Sequence, residues 1–125
     1  MNAQASHLDL DTIVTLSERE SGAFGLVDGG LADRVRAVVA WINERGPYTQ
    51  GEVREMEAQV RRLLANRLRL ALDRKRFPQI AQERVERPIF IVGYPRAGTT
   101  LIHSLLAEDP QALAPQSWHL YSPSP

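Results

Sequence analysis

An α/β arrangement is what this sequence predicts: a helical segment, then a strand, a phosphate-type loop and a helix. Three observations carry it. Apolar residues recur at helical spacing in Leu31, Val35, Val38, Val39 and Ile42, and again in Val53, Met56, Val60, Leu63 and Leu64. Ile89-Phe90-Ile91-Val92 is a short apolar run rich in β-branched residues, suited to a buried parallel strand. Gly93-Tyr94-Pro95-Arg96-Ala97-Gly98-Thr99-Thr100 separates that run from Leu101, Ile102, Leu105 and Leu106, which return to helical spacing. The expected division is a helical region at 1–87 and the beginning of an α/β domain at 88–125.

In chain order, residues 1–7 read as a tail. A first helix is expected over 8–20, with Asp9 or Asp11 as its cap and Leu8, Ile13 and Leu16 as apolar contacts. Residues 21–30 hold several glycines with Phe24, Leu26 and Val27 between them. No strand precedes them, so they read as a loop pinned by its apolar residues. The second helix is expected over 31–45, with Trp41 as a core or boundary residue and Gly46-Pro47 as its stop. Thr49-Gln50-Gly51-Glu52 has the form of a capping box and opens a third helix reaching about Arg76, before Pro78. The second half of that helix carries Arg61, Arg62, Arg67, Arg69, Arg74, Lys75 and Arg76, a run that reads as a solvated basic face. The alternative is that one or two of these arginines face a bound nucleotide or an acidic partner. After the helix that follows the loop, Asp109-Pro110 is a stop, and 111–125 shows no clear period.

Composition narrows the classes of function. The 125 residues carry 15 basic and 15 acidic side chains, so net charge argues neither for nucleic acid nor for a membrane surface. The chain has no cysteine, which removes disulfides, thiolate metal sites and cysteine nucleophiles together. The first twenty residues lack the basic start and apolar run of a secretory signal, and no apolar run reaches membrane-spanning length. A cytoplasmic location is the expectation.

The loop at 93–100 is where chemistry is expected. A glycine-rich turn between strand and helix aims several backbone N–H groups into one concavity, and the helix N-terminus adds partial positive charge. Gly93 and Gly98 permit close approach of backbone to anion. The Thr99 and Thr100 hydroxyls can bind the same anion, and Arg96 can fork onto its oxygens. Each residue also has a plainer reading: Pro95 as a turn stiffener, Arg96 as a solvated charge, the threonines as helix caps. One position departs from a nucleotide triphosphatase loop, because Thr99 stands where a lysine would reach the β- and γ-phosphates.

The run from Pro88 through Thr100 resembles the 5′-phosphosulfate loop of sulfotransferases that use 3′-phosphoadenosine 5′-phosphosulfate, and the likeness continues through Pro110. Leu64-Ala65-Asn66-Arg67-Leu68-Arg69-Leu70 and Phe77-Pro78 are similar to the helical N-terminal region of the same family's bacterial members. The resemblance implies a P-loop-like sulfotransferase fold, here an incomplete N-terminal portion, because family members continue well past this point. It implies that Tyr94, Pro95, Arg96, Ala97, Gly98, Thr99 and Thr100 bind the donor's 5′-phosphosulfate without a metal. Arg96 would stabilise the sulfuryl group and the leaving phosphate. The reaction implied is sulfuryl transfer to a hydroxyl or amine of a small-molecule acceptor.

Related sequences tend to carry Trp-Glu where this chain has Trp118-His119, which makes His119 the candidate base. His103 is expected as a packing or helix-surface residue. The resemblance further implies a fragment with weak or no activity alone, with a partner chain covering the exposed strand. Two other readings stay open: a P-loop kinase or nucleotide triphosphatase, and a non-catalytic helical interaction remnant.

Overall fold

Capping explains where the helices begin. The computed structural model describes residues 7–123, so most of the expected tail lies outside the described residues. Helix α1 (Leu10–Ser21) starts behind Asp9, whose carboxylate accepts the Thr12 N–H at 2.8 Å, and it ends at Gly22 in the left-handed region. Helix α2 (Gly29–Asn43) starts behind Asp28, which accepts the Leu31 N–H at 2.7 Å. This cap lies two residues earlier than the apolar stripe suggests. Helix α3 (Gln50–Arg76) opens on the expected capping box: the Glu52 N–H donates to Thr49 Oγ1, and the Thr49 N–H donates to Glu52 Oε2 at 2.8 Å.

Two compact units follow one another along the chain, the first reaching Pro78 and the second spanning Gln79 to Pro123. The first unit is built on α1 and α3. Its core gathers Leu8, Ile13, Ala23, Val35, Val39, Ile42, Val53, Leu64 and Leu68, with Ile13 and Leu68 fully buried. Ser17 is also fully buried, and its hydroxyl donates to Ile13 O at 2.7 Å and to Arg61 O at 3.3 Å. A small side chain there lets the α1 and α3 backbones approach closely. Asn43, at the end of α2, holds the backbone of Leu8 by donating to its carbonyl and accepting from its N–H, at 3.0 and 2.9 Å.

The basic half of α3 is not wholly a solvated face. Arg61 is half-buried between Glu20, at 2.9 Å, and Glu57, at 3.4 Å, and Arg69 donates to the Glu20 carbonyl at 2.7 Å. These two arginines tie α3 to the end of α1. Trp41 departs from the expected core or boundary position. It is 56% exposed, with the Arg45 guanidinium 3.8 Å over its ring and donating to its carbonyl.

The second unit corrects the expected fold class. Residues 89–92 form no strand, and no sheet exists among the described residues, so the α/β strand–loop–helix arrangement is not seen. Instead a 3₁₀ turn (Pro78–Gln82) leads into extended chain, the loop, α4 (Thr99–Ala107) and a short α5 (Ser117–Tyr121). The reason is pairing. A parallel strand needs a second strand brought alongside by a crossover, and no described segment supplies one. Ile89, Phe90 and Val92 are 72%, 83% and 90% exposed, so each forgoes burial worth about 1.5–3 kcal/mol. Apolar, β-branched composition marks a segment fit for a sheet; only a neighbouring strand makes it one.

Candidate functional site

The loop is shaped by one turn and one helix end. Tyr94 O accepts the Ala97 N–H at 3.0 Å, closing a four-residue turn with Pro95 and Arg96 at its centre. Proline presets the second position, and Arg96 takes φ 68° at the third, the left-handed value a type II turn requires there. Glycine is the usual residue at such a place. Arginine at this point sets a charged side chain on the turn at the cost of backbone strain, about 1–2 kcal/mol.

Gly98 follows, also left-handed at φ 83°, and serves as the N-cap of α4 with no side chain capping the helix. The backbone ladder begins with the Ile102 N–H donating to Gly98 O at 3.1 Å. The N–H groups of Thr99, Thr100 and Leu101 therefore precede the ladder, at the positive end of the helix dipole. The Thr99 and Thr100 hydroxyls make no hydrogen bond among the described residues, and Arg96 makes no ion pair there. Thr99 is half-buried, while Tyr94, Pro95, Arg96, Ala97, Gly98 and Thr100 are exposed.

Gly93 closes the arrangement. A β-carbon built on it would stand 2.9 Å from Thr99 Cγ2 and 3.5 Å from the Ala97 β-carbon. The start of the loop thus folds back against the start of α4. The structure brings 93–100 into one short turn and helix start whose free donors are the helix-end amides, two hydroxyls and one guanidinium. Such a set fits an anion with several oxygens.

His119 sits in α5, and its contacts are local. Its Nδ1 accepts the Gln116 N–H at 3.0 Å, and its ring lies 3.6 Å from that of Trp118, centre to centre. With Nδ1 occupied as an acceptor, the neutral ring carries its proton on Nε2. His103 is exposed on α4, which leaves the helix-surface reading of the two expected for it. Sequence reasoning missed two features: the left-handed arginine, for which Pro95 one residue before was the available signal, and the contact between Gly93 and Thr99.

Comparison with protein families bears on this same segment: residues 88–124 match the model of the Sulfotransferase family. That stretch, under a third of the chain, is similar to sulfotransferase-family sequence. The match begins at the extended run before the loop and takes in α4 and α5, so the loop lies inside the matched segment. No curated protein and no solved structure matches the chain. Among the described residues no helix is long and apolar enough to cross a membrane, and no group of three or more His, Cys, Asp or Glu residues could hold a metal ion.

Proposed function

We propose that 94–100 hold the 5′-phosphosulfate of 3′-phosphoadenosine 5′-phosphosulfate, and that the chain takes part in sulfuryl transfer to a hydroxyl or amine. The single observation that carries this reading is the uncapped N-terminus of α4, with Arg96 held beside it in a left-handed turn. The sulfotransferase match over the same residues supports it.

In such a transfer the acceptor's oxygen or nitrogen bonds to sulfur as the bond from sulfur to the bridging oxygen breaks. The electron pair leaves with 3′-phosphoadenosine 5′-phosphate. Negative charge gathers on that leaving phosphate, where the amides of Thr99 and Thr100 and the guanidinium of Arg96 stabilise it. Arg96 stays charged throughout, since a guanidinium does not give up its proton in a protein and so serves as neither acid nor base. The acceptor's proton needs a base. For His119 to be that base at Nε2, its ring must first release Gln116 and move its proton to Nδ1.

The exposed loop leaves the bound anion in contact with water, where charge stabilisation is weak. We therefore assign the 125-residue chain donor binding with little turnover of its own. The exposed Ile89, Phe90 and Val92 offer a partner chain an apolar segment to cover.

The test is calorimetric titration with 3′-phosphoadenosine 5′-phosphate in the absence of magnesium. Binding is expected, and Arg96→Ala is expected to weaken it by roughly 10- to 100-fold, the loss of a charge-assisted hydrogen bond. Binding of ATP only with magnesium, or no loss on Arg96→Ala, would overturn the assignment.

A further inference from the structure

The first unit carries a groove that the sulfotransferase reading does not use. It has a volume of about 210 Å³ and lies between α2 and α3, lined by Leu31, Val35 and Val38 on one wall and Val60, Leu63 and Leu64 on the other. Both rows follow helical spacing: Leu31 to Val38 spans two turns, about 10 Å, and Val60 to Leu64 about one turn, about 6 Å. Val38 and Leu63 are 47% and 60% exposed, although they lie on the apolar stripes that predict helix burial. Two apolar rows with an open trough between them have the shape that receives a third helix.

Charge decides which helix. Arg34 and Arg67 complete the lining, one from each wall, and neither makes an ion pair among the described residues. Asp33 pairs with Arg36 and Glu57 with Arg61, while Asp28, which caps α2 through the Leu31 N–H, lies near Arg34 without pairing with it. The trough therefore has an apolar floor and a positive rim. We infer that this groove docks an amphipathic helix of a partner protein, one whose apolar row at i, i+3 or i+4 and i+7 is flanked by carboxylates facing Arg34 and Arg67. A basic helix of the same apolar pattern would set like charges at the rim, and that discriminates against it.

The probe is a pair of fluorescein-labelled helical peptides with one leucine row between them. One carries glutamates beside the row and the other lysines, and each is titrated with the full chain by anisotropy. The glutamate peptide is expected to bind more tightly by roughly three- to tenfold, the size of two exposed ion pairs, and the preference should shrink at high salt. The double substitution Arg34→Glu, Arg67→Glu is expected to reverse the preference. Leu63→Asp is expected to abolish both interactions while the circular dichroism of the chain is unchanged, since Leu63 is open to solvent. Equal binding of both peptides, or binding of neither, would overturn the inference. So would a dimer of the chain in sedimentation that Leu63→Asp dissociates, because the groove would then be filled by a second copy.

Discussion

Thr99 Cγ2 occupies the space that a β-carbon on Gly93 would need, 2.9 Å from where that carbon would sit. Glycine at 93 is thus set by the side chain six residues later, and the loop cannot keep its shape with a larger residue. The contact joins the extended run before the loop to the first turn of α4.

The first prediction follows from that contact. Gly93→Ala should displace Thr99 and lower affinity for 3′-phosphoadenosine 5′-phosphate by roughly tenfold, about 1.4 kcal/mol. Thr99→Ser removes Cγ2 while keeping the hydroxyl, so the double variant Gly93→Ala, Thr99→Ser should recover most of the loss. Calorimetry on the four proteins of the cycle measures this. Additive losses would show that the two residues do not act through this contact.

Arg96 separates backbone from charge. Arg96→Gly should relieve the left-handed strain by about 1 kcal/mol and slow exchange of the Ala97 amide, which closes the turn at 3.0 Å. The same substitution should lose the anion affinity that Arg96→Lys partly keeps. A glycine variant that binds as tightly as the parent would show that the backbone amides suffice and that the guanidinium contributes nothing.

Two leucines on α3 should respond unequally to truncation. Leu68→Ala empties a fully buried position and should cost about 2–5 kcal/mol in denaturant unfolding. Leu63→Ala, on the open wall of the groove, should change stability by about 1 kcal/mol or less. Comparable losses at both sites would mean that Leu63 is covered in solution.

The cap of α3 gives a pH dependence of known sign. The Thr49 backbone N–H, followed by its hydroxyl, holds the Glu52 carboxyl below the ordinary glutamate range. A folded pKa below the unfolded one means that the stabilisation is complete above the unfolded value and is lost as pH falls through the folded one. The difference in melting temperature between the parent chain and Glu52→Gln should therefore be largest near neutrality and shrink through the acidic carboxylate range. The carboxyl carbon shift of Glu52 should titrate below that of an unperturbed glutamate. A difference independent of pH would show that the ionised form is not what the cap prefers.

Local signals in the sequence determined much of this protein. The Thr49–Glu52 box, the Asp9 cap and the apolar periods of α2 and α3 were legible because caps and helical stripes involve residues only a few positions apart. The glycine-rich loop with its helix start was legible for the same reason, and residues 88–124 match the family its motif resembles. Tertiary structure alone decided the rest. Whether Ile89 to Val92 forms a strand depends on a neighbour that composition does not encode, and among the described residues none is there. The positions of Arg61 and Arg69 depend on Glu20, some forty to fifty residues earlier in the chain, so a basic run that read as a solvated face became partly a tie between helices. Short-range hydrogen bonding and periodicity can be read along a chain; pairing and burial depend on what the fold brings beside it.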